Sequence, residues 1–216
     1  MARVKICGLT NPADLQAAIE AGADAVGIIC DVSVETPRDV DRSTAAELVA
    51  AVPPFVTATL VTMPESAEHA VELVRSIQPD ALQLHGSFNS DDLGYIRAET
   101  GVKLIPAVDY SNTNRPAELD SAADALLVDS TTDEGAGGTG ETHDWEATGA
   151  LAETLTSPVI LAGGLTPDNV AEAVRVAAPF GVDVASGVER SGGEKDHTAL
   201  ATFVRNAGRE LEVVDQ

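Results

Sequence analysis

The chain has 216 residues, 44% of them hydrophobic, enough apolar material for one sizeable core. Thirty-five acidic residues against thirteen basic ones give a formal net charge of −22, a surface that repels nucleic acid and anionic membrane. Two cysteines without a Cys-x-x-Cys, and no apolar run of membrane length, exclude a disulfide framework, structural zinc and a spanning helix.

Short β-branched apolar runs alternate with Ala-rich helical patterns along the whole chain. In order, the expected strands are 4–7, 25–29, 56–61, 81–84, 103–107, 125–129, 158–162 and 182–185. The spacing of apolar residues predicts helices over 12–21, 44–51, 65–77, 91–99, 145–155, 167–176 and 197–211, with only a short, weakly patterned segment at 116–122. Thr10-Asn11-Pro12, Thr62-Met63-Pro64 and Thr166-Pro167 each put a capping residue ahead of a first-turn proline. Gly22-Ala23-Asp24-Ala25, Pro79-Asp80-Ala81-Leu82 and Ala123-Asp124-Ala125-Leu126 use one helix-to-strand turn three times. Eight such units without a linker or a long insert predict a TIM-type (β/α)8 barrel, one domain over 1–216, in preference to an open doubly wound sheet.

In a barrel the chemistry belongs at the C-terminal strand ends. Those ends carry Cys7-Gly8, the loop through Arg38, His85-Gly86, Asp129, Gly163-Gly164 and Ser186-Gly187. Cys7, last in its strand and followed by glycine, is either an inert buried thiol or a base, and Lys5 is a nearby cation that would lower its pKa. Asp129 follows three apolar residues, so burial would favour its protonated, proton-donating form; otherwise it caps its own loop. The glycines of Gly163-Gly164 and Ser186-Gly187 either permit tight turns or expose N–H groups to a phosphate, with a short helix start after strand eight adding its positive end. Arg38 suits a bidentate grip on a carboxylate, or a surface salt bridge. His85 is a base or a hydrogen-bonded structural histidine. His69, His143 and His197 have no metal-site spacing, Cys30 reads as packing, and a Cys7–Cys30 disulfide is not expected. Gly135–Thr142 nearly fits a nucleotide P-loop, but Glu141 stands where the lysine must be, so a lid over the barrel mouth fits better.

Lys5-Ile6-Cys7-Gly8-Leu9-Thr10, Leu82-Gln83-Leu84-His85-Gly86, Gly137-Gly138-Thr139-Gly140 with Asp144-Trp145, the run Ala162 to Val170 and the run Asp183 to Glu189 follow one another in this order. Together they resemble the phosphoribosylanthranilate isomerases of tryptophan biosynthesis, over almost the whole chain. The resemblance implies a cofactor-free Amadori rearrangement with Cys7 as general base and Asp129 as general acid. It further implies phosphate at Gly163, Gly164, Ser186 and Gly187, the anthranilate carboxylate near Arg38, and a supporting role for Asp183. Thr36, Ile29-Cys30, Ala185 and Gly192 depart from the family's usual residues. The expected partner is a small phosphorylated sugar-anthranilate, with no metal, nucleic acid or membrane. The chain is expected to be monomer or homodimer and cytoplasmic, with a composition like that of extreme halophiles. In roughly molar salt a Debye length near 3 Å screens its self-repulsion.

Among rivals, ribulose-phosphate epimerase needs metal-binding histidines at strand ends, where only His85 stands. Indole-glycerol-phosphate synthase needs a lysine inside the barrel, which Lys5 and Lys103 fit poorly. Bifunctional histidine-and-tryptophan isomerases typically carry aspartate where Cys7 stands. A non-catalytic metabolite-binding barrel would keep the glycine loops and have no need of both Cys7 and Asp129.

Overall fold

Short apolar runs, buried on both faces, lay out the strands, and capped apolar spacings lay out the helices. The computed structural model describes residues 1–109, 114–129 and 144–208. Its strands are β1 (Arg3–Cys7), β2 (Ala25–Ile29), β3 (Thr57–Thr62), β4 (Ala81–Leu84), β5 (Lys103–Asp109), β6 (Leu126–Asp129), β7 (Val159–Leu161) and β8 (Gly181–Val184). Each pairs in parallel with the next, and β8 pairs with β1, closing the expected barrel. The helices that follow them are α1 (Pro12–Glu20), α2 (Arg42–Ala50), α3 (Ala67–Ile77), α4 (Ser90–Thr100), α5 (Asn114–Leu119), α6 (Trp145–Thr154), α7 (Val170–Ala177) and α8 (His197–Gly208).

Two apolar layers hold this together. Outward-facing strand residues such as Ile6, Ile28, Leu60, Leu82, Leu104 and Val128 pack against the helices in one continuous cluster. Each such fully buried side chain contributes about 1.5–3 kcal/mol. A smaller cluster of Ala81, Ile105, Ala125, Leu127, Ile160 and Ala162 fills the barrel's inside. It covers only part of the interior. Lys5, Thr59, Gln83 and Asp183 are also buried there, so the inside is apolar on one side and polar on the other.

The thrice-used turn has a physical job. The backbone N–H of Asp24 donates to Val4 and its carboxylate accepts the Val4 N–H; Asp80 does the same with Ala58, and Asp124 with Leu104. Each aspartate thereby pins one strand to the next at the N-terminal end. At the β7–β8 junction the same backbone bond runs from Phe180 N–H to Val159, without a carboxylate.

Several local expectations shift. Asn11 caps α1 ahead of Pro12 as expected, whereas Ser66, not Thr62, caps α3. Thr166-Pro167 precedes α7, which starts only at Val170; Asn169 instead accepts from the Thr166 N–H and donates to Gly164, tying down the loop. After β8 come a 3₁₀ turn (Ser186–Val188) and an unforeseen hairpin, β9 (Glu189–Ser191) with β10 (Glu194–Lys195). The expected lid at 135–142 and His143 lie outside the described residues.

Candidate active site

The strand period that buries Ile105 and Leu127 inside the barrel also carries Asp109 and Asp129 to its rim, where the two are register partners. Likewise β1 turns Lys5 and Cys7 inward, two residues apart. Cys7 is buried on the wall formed by β1, and Asp129 stands at the end of β6, with β8 and β7 between them. A cavity of about 100 Å³ opens between these walls, lined by Arg38, Asp129, Gly163, Gly164, Asp183, Ser186 and Gly187 among others. Seven of the eight residues singled out from sequence thus share one cavity, and Cys7 stands next to it beside Asp183.

The glycine loops are shaped for close backbone approach. Gly163 and Gly164 have φ of +87° and +62°, which a side chain would strain. A methyl at Gly187 would fall onto the carbonyl oxygen of Leu165. The turns after β7 and β8 therefore interlock, and the expected helix start after β8 is the 3₁₀ turn beginning at Ser186.

Beneath the cavity lies a buried polar cluster. The Lys5 ammonium is 3.0 Å from Asp183 Oδ1, and both residues are under 10% exposed. Burial pushes Lys5 down, but Asp183 and Cys7 outweigh it and hold the lysine protonated. For Cys7 the balance differs from expectation. Lys5 and Lys195 do pull the thiol down, yet burial is the larger effect and Asp183 adds to it, so the net shift is upward. Lys5 also proves to be inside the barrel after all, with its charge already paired. His85 accepts from the Gln83 side-chain amide at 2.9 Å; burial, helped by Lys5, pushes its imidazole down to about 4. It is neutral at pH 7 and structural in its bonding. Cys30 is core packing, pushed up to about 11 by burial, and both thiols are free.

Arg38 spans the mouth in a bidentate pair with Glu189, Nε to Oε1 at 2.9 Å and Nη2 to Oε2 at 2.6 Å. The fully buried Lys195 ammonium reaches the same carboxylate at 2.7 Å and the Ala185 carbonyl at 3.0 Å. Burial would raise Glu189, but these bonds overcome it and keep the carboxylate ionised. The sequence motifs assign no role to Glu189 or Lys195. Their signal was weak because a surface glutamate and a lysine are unremarkable in a row of charges; only the fold brings them across to Arg38. The hairpin carrying them is itself fixed: Asp14 accepts the Lys195 N–H and pairs with His197, and Thr10 donates to Gly193. β5 runs two residues further than the 103–107 expected from sequence, which brings Asp109 to the rim.

Among the described residues no group of three or more His, Cys, Asp or Glu is placed to hold a metal, and no helix is long and apolar enough to cross a membrane. A larger cavity, about 430 Å³, opens at the opposite, N-terminal end of the barrel, with Phe55 fully exposed and Phe180 half-exposed among its lining residues.

The family model described as N-(5′-phosphoribosyl)anthranilate (PRA) isomerase matches residues 4–206. A protein from Halorubrum lacusprofundi named N-(5′-phosphoribosyl)anthranilate isomerase is 68% identical over 99% of this chain and 100% of its own. The crystal structure of phosphoribosyl anthranilate isomerase from Thermotoga maritima superposes with a TM-score of 0.85 at 35% identity, covering 96% of this chain and 98% of that one. A second structure, described as mutually generated monomers of the dimeric Thermotoga maritima enzyme, gives 0.80 at 31% over 96% of this chain and 98% of its own.

Proposed function

The chain belongs to the N-(5′-phosphoribosyl)anthranilate isomerase family, and on that premise we propose that Cys7 and Asp129 carry its reaction as general base and general acid. The reaction converts N-(5′-phosphoribosyl)anthranilate to 1-(2-carboxyphenylamino)-1-deoxyribulose 5-phosphate, a step of tryptophan biosynthesis. Asp129 gives a proton to the ribose ring oxygen as the C1′–O bond breaks and the anthranilate nitrogen lone pair forms an iminium. Cys7, as thiolate, takes the C2′ proton, leaving an enolamine. The enolamine gains a proton at C1′ and loses one from its hydroxyl to give the ketone. The observation that carries this reading is the placement of a thiol and a carboxyl on separate walls of one barrel mouth, with the interlocked glycine loops between them.

The phosphate sits on the backbone N–H groups of Gly163, Gly164, Ser186 and Gly187, and Asp183 accepts from a ribose hydroxyl. Arg38 keeps its Nη1 for the anthranilate carboxylate while Glu189 holds the other side of its fork. We read residues 1–216 as one domain working in the cytoplasm, where the free thiols and acidic surface suit a reducing, salt-rich interior. Of the monomer and homodimer left open by the sequence, the homodimer is the reading favoured here, since exposed Phe55 and Phe180 rim the N-terminal cavity and the Thermotoga maritima relative is called dimeric.

The test follows the loss of substrate fluorescence in about 2–3 M KCl, where charge self-repulsion is screened. Cys7→Ala and Asp129→Asn, each shown to be folded, should lower kcat by about 10²–10⁴-fold. Turnover unchanged in Cys7→Ala would remove the base assignment, and unchanged in Asp129→Asn the acid.

A further inference from the structure

A base inside a protein needs something to hold its charge once the proton has gone. On the reading that Cys7 is that base, the structure raises a difficulty, because the thiol is buried and burial disfavours the thiolate. Three features of the barrel floor bear on it. Lys5, two residues earlier on β1, faces the same interior. Its ammonium is fixed 3.0 Å from Asp183 on β8, so a long, flexible side chain is held to one position. Gly27, the register partner of Cys7 on β2, lacks the one atom that would stand in the way: a β-carbon there would lie 2.8 Å from Cys7 Sγ and 3.0 Å from Lys5 Nζ. The thiol sulfur and the ammonium therefore converge over the bare backbone of Gly27.

We propose that Lys5 is a positioning residue for Cys7: its buried ammonium, held in place by Asp183 and given room by Gly27, is the counter-cation of the Cys7 thiolate. Asp183 then has two opposed effects. It fixes the ammonium, and its own negative charge offsets part of what the ammonium does for the sulfur. A substrate hydroxyl donating to Asp183 spreads that negative charge, leaving the lysine's field to act on the thiolate at the moment the base is needed. The other charged or titratable groups around the sulfur are Lys195 on β10 and Arg38 in the loop after β2, both cationic, with neutral His85 after β4. Asp109 and Asp129 close β5 and β6 on the same rim. Of the cations, Lys5 acts most strongly on Cys7 and is the one that shares its strand.

This yields opposite signs from two ways of breaking one ion pair. In a Cys30→Ser background, thiolate absorbance near 240 nm is titrated against a Cys7→Ser reference in concentrated KCl. Lys5→Met should lower the thiolate fraction at a fixed pH at least tenfold, and Lys5→Arg should restore most of it. Asp183→Asn should raise the thiolate fraction. Gly27→Ala, whose methyl displaces sulfur and ammonium, should lower it. If Lys5→Met does not fold, Lys5→Met/Asp183→Asn removes both charges of the buried pair together, and its thiolate fraction should still be below that of the parent. A lysine serving structure alone would move Lys5→Met and Asp183→Asn in the same direction, or neither; that result, or a parental titration in the double variant, overturns the proposal. The titration needs no turnover, so its outcome is separate from the fate of Cys7 as base, which Cys7→Ala decides.

Discussion

The two ends of the barrel are built on different rules. At the N-terminal end one device recurs: Asp24, Asp80 and Asp124 each join a strand to its successor by the same pair of hydrogen bonds. At the C-terminal end no one device serves successive strands. The thiol comes from β1, the carboxyls from β5 and β6, the glycine turns from β7 and β8, and Arg38 is held by a hairpin outside the barrel. Joining a strand to its successor is a task that recurs around the barrel, and one residue type serves it at β1–β2, β3–β4 and β5–β6; the proposed acid and base are each needed once per molecule. The β7–β8 junction, which keeps the backbone bond and lacks the carboxylate, is instructive. Phe180 stands where the aspartate would, half-exposed beside a cavity it shares with Phe55. A position released from the strand-joining role is there apolar, as a contact surface would be.

Substitutions that are equally small should therefore have different consequences at the two ends. Gly187→Ala has the largest expected effect. Its methyl would overlap the Leu165 carbonyl, a backbone atom that cannot rotate away, so the turns after β7 and β8 must part. A stability loss of about 1–3 kcal/mol is expected for such overpacking, with KM raised at least tenfold because the turns displaced are the ones proposed to hold the phosphate. Thermal unfolding and steady-state kinetics in KCl measure both; an unaltered KM would move the phosphate elsewhere. Asp80→Ala, at the other end, leaves the Ala58 N–H without its partner, which costs about 1–3 kcal/mol. Its kcat/KM should stay at the parental value. Lost activity in folded Asp80→Ala would end the division of labour between the two ends.

The difference between the ends also explains what could be read from sequence. Strands such as Ala25–Ile29 and Ala81–Leu84 were legible to the residue, because a short, continuously buried apolar run between turn residues is a local signal. The capping of α1 by Asn11 was legible for the same reason. The start of α7 was misread because Asn169 spends its side chain on the loop before it rather than on its own helix. In the site, Cys7 and Asp129 were visible as strand-end residues that break an apolar run. Glu189 and Lys195 were not, since their meaning depends on Arg38, far away in sequence, and on a hairpin whose strands are two and three residues long. The protonation balance of Cys7 was misjudged for a related reason. Lys5 was visible beside it, whereas the depth of burial and the approach of Asp183 are properties of the closed barrel.

The ends also separate by pH. His85, at the catalytic end, falls from 6.5 to about 4 on folding, first through burial and then through Lys5. Between those values the unfolded chain takes up a proton that the folded chain refuses, so stability drops as pH falls from 6.5 toward 4. Partial exposure discounts the loss to about 2 kcal/mol. Asp120, at the N-terminal end, behaves in a lower window. Burial would raise it, but bonds from Thr156 and Ser157 outweigh burial and bring it to about 2, so its contribution is complete above 3.8 and lost toward 2. His85→Gln should consequently flatten the parental decline in Tm between pH 6.5 and 4 while leaving the steeper fall below pH 4 in place. Asp120→Asn should do the reverse. If both variants changed the same pH window, the acid sensitivity of this barrel would belong to its net charge as a whole rather than to groups at its separate ends.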